Sequence, residues 1–563
     1  MFRWPHVVFF LFVLILSACN DHEIPKTVPV KKEENVNEHV AELLKKKLQD
    51  LDSASVLVLE HDSLKATKQI VQLFSQFTYE PIFTNKGSLV PVGDSLLNVI
   101  KHAREYFGLY PQTYHLHQID SLLKNVKDTS GTFDAVKLLK IELLLSNAMF
   151  NVAVHASKGR FDSDSLTPFW KISQIDTDIV KLFSNAIKKN TIVTALQSLE
   201  PKNEKYQQLK MFFADYLNEF KNEDWDSLPP IQQDTIKFYE LLKPRLIASH
   251  DYDTSLKVRD EIKLMKAMKS FQKKHNLNDD GKMGKYTYQA LCKTKEDHIR
   301  QIEMTLERWR WEPNKQDKRM IWVNIPAFTI KVYDKDTIFW QSKVITGSLT
   351  HHSPTLKSSV TYFIIYPYWN VPYKIASEEI LPRIKWDTAY IRKNNFDILD
   401  WNNNLVDYYS VKWSKYNKKN LPYHFRQQEG GDNSLGVIKF MFNNKYGVYL
   451  HDTNGKRLFG KEVRCLSHGC IRLENPWVLA SYLIKDDSLR YTPDSLFTYF
   501  EKEQKKTIPL RKAIPIYLKY FTCEVNKEEK PNYKGKQAKL DDKLFFYFDI
   551  YEQDKKMMKT VYK

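Results

Sequence analysis

Tyr449-Leu450-His451-Asp452-Thr453, followed by Ser467-His468-Gly469-Cys470-Ile471-Arg472, gathers an imidazole, a glycine turn, a thiol and a guanidinium into one short stretch. A thiol attacks a carbonyl as thiolate, so Cys470 needs a base, positive surroundings and backbone N–H groups aimed at the oxyanion that forms. His451 is the candidate base. Gly469 lets the backbone pass close to the reacting carbonyl, and the N–H groups around Gly469 and Cys470 are the candidate oxyanion hole. A lone cysteine or histidine is most often a packing residue, because free cysteine is among the most buried residue types. Four groups in this order point instead to thiol-based acyl transfer. His275, by contrast, has no second ligand at useful spacing, so no metal is expected, and nothing calls for a cofactor.

Working outward, the texture from Met320 is β: Ile321-Trp322-Val323-Asn324-Ile325, Thr329-Ile330-Lys331-Val332-Tyr333, Val360-Thr361-Tyr362-Phe363-Ile364-Ile365 and Gly447-Val448-Tyr449-Leu450 carry alternating or continuous apolar runs. The stretch from about 373 to 430 is too long for a hairpin loop and is read as a lid containing helical turns. Its Tyr390, Trp401, Tyr408 and Tyr409 either line a substrate groove or pack a small core of the lid's own. Residues 38–250 are mostly helical by their three- and four-residue apolar spacing, as at Leu138, Leu139, Ile141, Leu143, Leu144 and Leu145. Between Arg259 and Cys292 a helix, an Asp280-Gly281 turn and a second helix form a compact unit, with Thr287 offering a hydroxyl near the second helix start. The fold class expected is therefore multidomain α+β.

The first residues set an expected location. Arg3 precedes an apolar run, Val7 to Leu16, too short to span a bilayer comfortably and ending in small residues, which reads as an export signal over residues 1–18. Polar residues up to about Asn37 read as a tether, 19–37. The chain has 563 residues, 42% of them hydrophobic, enough for several cores. It has five cysteines, Cys19, Cys292, Cys465, Cys470 and Cys523, and no obligatory disulfide framework is readable. A bond between Cys465 and Cys470 would silence the nucleophile; packing of Cys465 beside the site is the alternative. The formal net charge of +17 suits anionic partners. No nucleic-acid motif appears, and an export signal directs the chain away from nucleic acid; a carboxylate-rich cell wall or a membrane surface fits better, unless the lysines are only a solvated coat.

The motif resembles that of the L,D-transpeptidase (YkuD-type) catalytic domain: a His, an intervening stretch, then Ser/Thr-His-Gly-Cys followed by Arg. Leu306-Glu307-Arg308-Trp309-Arg310-Trp311, Trp369-Asn370-Val371-Pro372 and Asn433-Ser434-Leu435-Gly436-Val437-Ile438-Lys439-Phe440 are similar to the larger, scaffold-bearing Gram-negative type. So are Phe77 to Phe83 and Gly108 to Tyr114 in the scaffold region, and Pro515 to Thr522 with Phe548-Asp549-Ile550-Tyr551, which resemble the strand pair that follows the active site. Ser353-Pro354 stands where relatives carry Thr-Pro, and His468 where some carry serine. Leu16-Ser17-Ala18-Cys19 resembles a lipobox, which implies lipidation at Cys19, and the unit around Arg259–Cys292 resembles a small three-helix peptidoglycan-binding domain.

The resemblance implies a scaffold domain at 38–250, a peptidoglycan-binding domain at 251–300, a catalytic domain at 301–500 and C-terminal strands completing it at 501–563. It implies Cys470 as nucleophile, His451 as base and the Asp452 carbonyl as orienter of the imidazole. Ser467 and His468 would shape the turn, and Arg472, Arg464, Asp452, Tyr449 and Trp369 would bind substrate. The implied reaction is acyl transfer from a tetrapeptide stem with loss of D-alanine, giving 3-3 crosslinks, and acylation by carbapenems. Water as acceptor would make it a carboxypeptidase, and a protein amine would make it a wall-anchoring enzyme. An inactive catalytic domain would leave a wall-binding scaffold lipoprotein. Implied partners are stem peptides and glycan, a membrane (the outer one expected) reached through Cys19 in a Gram-negative periplasm, and cell-wall synthases.

Overall fold

The structure is a computed structural model that describes residues 36–51, 55–59, 62–127, 131–161, 178–225, 227–230, 235–335, 337–529 and 540–562. The expected leader and Cys19 lie outside these residues, as does the tether apart from Val36 and Asn37, which open the first helix. Among the described residues the chain divides into two compact units: one drawn from residues 36–102, 111–153 and 178–199, the other from 103–110, 154–161 and 200–562.

The first unit is helical, with α1 (Val36–Leu48), α2 (Thr67–Gln76), α3 (Pro91–Lys101), α4 (Ala135–Lys158), α5 (Ile179–Lys189) and α6 (Ile192–Ser198). The last residues of α4 pass into the second unit. Helix α4 is long and apolar enough to cross a membrane, yet most of its apolar stretch is buried in protein, as in a core helix. Its one buried acid, Glu142, accepts hydrogen bonds from the N–H groups of Ile82, Phe83 and Thr84 and from the Thr84 hydroxyl. Burial nevertheless pushes its carboxyl up to about 7.

In the second unit α7 (Glu204–Glu219), α8 (Thr235–Ala248), α9 (Asp260–Lys274), α10 (Lys285–Leu291) and α11 (Lys295–Arg310) precede the sheet. Phe238, Leu242 and Leu246 of α8 share one core with Ala267, Met268 and Phe271 of α9 and Leu291 of α10. The three-helix unit thus includes α8, whose periodicity by itself reads as part of the preceding helical run. The glycine turn is held by Gln272: its amide accepts from the Gly281 N–H and donates to the Lys282 carbonyl and the Thr287 hydroxyl. Thr287 is therefore a buried strut within α10, whose cap is Gly284.

The region after α11 is built on one mixed nine-stranded sheet: β1 (Arg319–Asn324), β2 (Thr329–Asp334), β3 (Thr337–Gly347), β4 (Leu356–Ile365), and, after the three separate strands β5 (Trp369–Asn370), β6 (Phe396–Leu399) and β7 (His424–Gln427), the last two within the stretch expected as a lid, β8 (Ile438–Phe442), β9 (Leu450–His451), β10 (Cys465–Ser467), β11 (Ile471–Leu473) and β12 (Lys506–Lys519). The spatial order is β10-β3-β11-β9-β8-β4-β12-β1-β2, and β2 also pairs with β3, which closes the sheet on itself. Inward residues such as Val323, Val332, Phe363, Phe440, Leu450 and Ile471 form the core with Leu479, Ala480 and Leu483 of α12 (Pro476–Leu483). Strand β12 inserts between β4 and β1. The hairpin β13 (Cys523–Glu529) and β14 (Leu540–Phe546) stands outside this sheet, and α13 (Gln553–Val561) closes the chain. Residues 548–551, expected as a strand, form a turn instead, because the Asp549 carboxylate accepts from the N–H groups of Gln553 and Lys555 and starts α13.

The lid carries its own core, with Val371, Ile380, Leu381, Ile384, Phe396, Trp413 and Phe425 at its centre. Tyr390 and Tyr408 pack against that core, while Trp401 and Tyr409 are exposed.

Candidate active site

Strands β9 and β11 run parallel, with Leu450 opposite Ile471 and His451 opposite Arg472. Because side chains alternate across a sheet, Leu450 and Ile471 enter the core while Tyr449, His451, Cys470 and Arg472 share the other face. Lys439 of β8 lies opposite His451 in the antiparallel ladder and joins the same face. Its ammonium sits 3.8 Å from the centre of the Tyr449 ring, and the Tyr449 and His451 rings meet edge to face at 5.6 Å.

Cys470 closes a tight turn between β10 and β11. Gly469 has φ of +113°, a conformation that disfavours any side chain. The Ser467 hydroxyl accepts from the Gly469 N–H at 3.1 Å and donates to the Cys470 carbonyl at 2.6 Å. The Gly469 carbonyl accepts from the Ser353 hydroxyl at 2.7 Å, and Ser353 in turn accepts from the Gly347 N–H. Tyr551 closes this brace: its hydroxyl donates to the Gly347 carbonyl and accepts from the Ser353 N–H, and its ring stacks on His352 at 3.9 Å. The serine in Ser353-Pro354 therefore performs the bracing a threonine hydroxyl would. The Gly469 N–H is already engaged, so of the two N–H groups expected at the oxyanion only that of Cys470 remains a candidate.

The thiol's nearest polar partner is Tyr449. Burial raises the Cys470 pKa, opposed by the Tyr449 backbone and hydroxyl and by the positive charges of Lys439 and Arg472. The ionisation of the Tyr449 hydroxyl is pushed far up, by burial first and then by the neighbouring thiol, with the Trp369 indole opposing.

His451 is buried, and its pKa falls to about 3 through desolvation and the charges of Arg472 and Lys439; the backbone of Asp452 and of Leu435 opposes this. Its Nδ1 is buried without a hydrogen-bond partner. Among the described residues, no hydrogen bond joins the imidazole to the Cys470 thiol. Both groups rest neutral, and the sheet face rather than a direct bond holds them together.

Arg472 has its Nε buried and unpartnered, and burial lowers its pKa. Among the described residues no carboxylate pairs with Arg472 or with Lys439. Two cations on the face of the thiol, both without an acid, leave an anion-shaped vacancy of charge. Lys439 has no signal in the sequence, where it reads as an outward lysine on an amphipathic strand.

Two expected substrate contacts are corrected. Arg464 is buried and its guanidinium is taken up by the carbonyls of Val344, Lys461, Glu462 and Phe328, which it holds together. The Asp452 carboxylate accepts from the Val437 N–H and pairs with Lys456 at 2.5 Å, pinning the turn before β8; only its backbone meets the imidazole. His468 points to the lid, where its Nε2 lies 2.5 Å from the Glu379 carboxylate. Cys292, Cys465, Cys470 and Cys523 are all free thiols, and no group of three or more metal-binding side chains occurs among the described residues.

Residues 318–489 match the family model of the L,D-transpeptidase catalytic domain, YkuD, and residues 68–212 match that of the Scaffold domain. A protein of Haemophilus influenzae named "Putative L,D-transpeptidase" is 34% identical over 231 residues, 41% of this chain and 46% of its own length. The chain therefore matches rather less than half of that relative.

Proposed function

We propose that this chain, which carries an L,D-transpeptidase catalytic domain, is a peptidoglycan L,D-transpeptidase with Cys470 as nucleophile and His451 as base. The observation that carries the reading is the parallel pairing of β9 and β11, which sets His451, Tyr449, Cys470 and Arg472 on one face with Lys439 beside them. The Cys470 sulfur attacks the carbonyl of the third residue of a tetrapeptide stem while its proton passes to His451. Tyr449 and the Cys470 N–H donate to the resulting oxyanion, and the positive field of Lys439 and Arg472 stabilises it. Collapse breaks the amide; D-alanine leaves with the proton from His451 and a thioester remains. The amine of a second stem attacks the thioester, giving up a proton as the 3-3 peptide bond forms and the thiol is regenerated. The neutral resting pair suits this order, because an uncharged imidazole can accept a proton as soon as substrate brings the thiol into line.

Arg472 and Lys439 are the assigned binders of the stem's carboxylates. Export through residues 1–18, lipidation at Cys19 and periplasmic residence complete the reading; replacing Cys19 by Ala and following incorporation of a labelled fatty acid tests the anchor.

Intact-protein mass spectrometry after incubation with a disaccharide tetrapeptide, and separately with a carbapenem, tests the reaction. A covalent adduct that disappears in Cys470→Ala, together with crosslinked dimer, is expected. Trimmed tripeptide alone would make the acceptor water, and no adduct at all would sink the enzyme reading.

A further inference from the structure

The nucleophile turn meets the stretch expected as a lid at a single carboxylate. His468 stands two residues before Cys470, a backbone span of at most about 7 Å, with Gly469 folding the chain tightly between them. The Nε2 atom of His468 lies 2.5 Å from the Glu379 carboxylate, and the His351 ring sits 5.0 Å from that of His468. All of these residues belong to the second unit. Among the described residues Glu379 pairs with no lysine or arginine, and 41% of its side chain is exposed, as is 39% of His468. A solute can therefore reach the carboxylate from the rim of the site.

The backbone that carries Glu379 is unusual. Residues Ala376–Ile380 form one wide π-helical turn, a rare geometry that recurs at functional sites. Pro382 follows it and has no N–H to offer the Glu378 carbonyl, so the regular helical ladder is interrupted at this point. The same segment begins just after Trp369, whose indole acts on the Tyr449 hydroxyl beside the thiol. The stretch thus approaches the catalytic residues twice, once with an indole and once with an acid.

Charge around Cys470 is consequently polarised. Lys439 and Arg472, on the sheet face of the thiol, act on it as positive charges, and among the described residues no carboxylate pairs with either. On the other side of the turn stands Glu379. The reaction proposed above joins two unlike groups: a donor stem that brings carboxylates, which the two cations suit, and an acceptor that arrives as an ammonium, for which they are repulsive. An acid at the rim is what an incoming ammonium needs.

We propose that Glu379 is the acceptor-binding residue of this site: its carboxylate takes the ammonium of a primary amine, and His468 holds the carboxylate over the turn until the amine replaces it. The assignment rests on the transpeptidase reading. Glu379 places the nitrogen; attack on the thioester and loss of the amine's proton follow as in that reaction. Water gains no comparable charge attraction, so the residue biases the thioester toward crosslinking and away from trimming.

The test separates the two half-reactions on the full chain. The donor is a disaccharide tetrapeptide with its side-chain amine acetylated, which can acylate the thiol but cannot accept. The acceptor is a disaccharide tripeptide with that amine free, which has no terminal D-alanine to lose. Mass spectrometry follows the acyl-enzyme, the crosslinked product and the trimmed donor, the last marked by its acetyl group. Glu379→Gln should raise the KM for tripeptide about fivefold, the scale of a partly exposed ion pair, and shift product toward trimmed donor while the acyl-enzyme forms at the wild-type rate. Glu379→Asp, which keeps the charge, should retain most of the crosslinking, and melting temperatures should match wild type. An unchanged KM in a Glu379→Gln chain that acylates normally would overturn the proposal. So would equal loss of acylation and crosslinking in both variants, which would make the contact a structural tie. Absence of acyl-enzyme in wild type would instead strike the transpeptidase reading. Calorimetric titration of tripeptide into Cys470→Ala, with and without Glu379→Gln, then decides the amine site by itself: binding weakened about fivefold supports it, and equal binding or none overturns it.

Discussion

His451 on β9 stands directly across a parallel ladder from Arg472 on β11, and that pairing determines the charge state of the whole site. Burial, and after it the charge of the unpartnered guanidinium, drives the imidazole to its neutral form, with a pKa of about 3. The same guanidinium, with Lys439, draws the thiol back toward ionisation although burial still leaves it above the ordinary 9.0. The site therefore rests as neutral thiol and neutral imidazole, unlike a preformed thiolate–imidazolium pair.

Alkylation of Cys470 by iodoacetamide should consequently rise with pH through 7 and 8 and keep rising above 9.0, with no plateau near neutrality. A reactivity plateau between roughly pH 5 and 7, as for a low-pKa thiolate, would show that the ion pair exists in the free protein. Peptide mapping assigns the rate to Cys470 rather than to the half-buried Cys465.

Lys439→Met should slow acylation of Cys470 by a carbapenem about tenfold, the rate equivalent of ~1.4 kcal/mol of lost electrostatic stabilisation. The melting temperature should hold or rise, since a buried ammonium without a carboxylate partner is replaced by an apolar side chain of similar length. Unchanged acylation kinetics would place Lys439 outside the chemistry.

Arg464 and Arg472 should behave oppositely despite their proximity in sequence. Arg464→Ala takes the side-chain donor away from four backbone carbonyls and is expected to cost about 3 kcal/mol, visible as a lowered denaturation midpoint. Arg472→Gln should leave that midpoint nearly unchanged and reduce turnover of the tetrapeptide by roughly two orders of magnitude. The reverse pattern would restore Arg464 as the substrate clamp.

His275 supplies a stability signature independent of catalysis. Its folded pKa of about 4 lies below the unfolded value of 6.5, so the unfolded chain binds more protons between these pH values. Its contribution is thus unfavourable as pH falls through that window, by about 1.4 kcal/mol per pH unit at most. Urea midpoints of His275→Leu measured from pH 7 to 4 should fall less steeply than those of wild type; parallel curves would mean that the imidazole is protonated in the folded chain.

His468→Gln breaks the contact with Glu379 that ties the nucleophile turn to the lid. Both partners are partly exposed, so stability should change by no more than ~1 kcal/mol. KM for the tetrapeptide should shift while kcat stays within a few-fold, as expected if the pair biases lid position. A collapse of kcat with KM unchanged would make His468 part of the chemistry.

Several features were legible from the chain because they are local. The alternation at Val323, Val332 and Phe363 announced strands, and the glycine before Cys470 announced a tight turn there. Gly469 does occupy a left-handed position, and Tyr390 and Tyr408 do pack a core of the lid's own. Other features escaped because a linear pattern does not report a partner. Lys439 and a solvent-facing lysine look alike until β8 is laid beside β9. Arg464 and Arg472 look equally available until one is seen to be surrounded by carbonyls. Residues 548–551 have strand composition, but the Asp549 carboxylate turns them into a helix start, and Tyr551 then reaches back to brace Gly347 and Ser353.

The sequence by itself determined which reactive side chains stand close along the chain and the succession of helical and β segments, since side-chain type and hydrophobic period are properties of neighbouring residues. Tertiary structure decided which polar groups are satisfied and which are left without a partner. That distinction rests on burial and on approach by distant strands: it separates Arg472 from Arg464, and it leaves the Nε2 atoms of His275 and His298 buried without a partner far along the chain from Cys470.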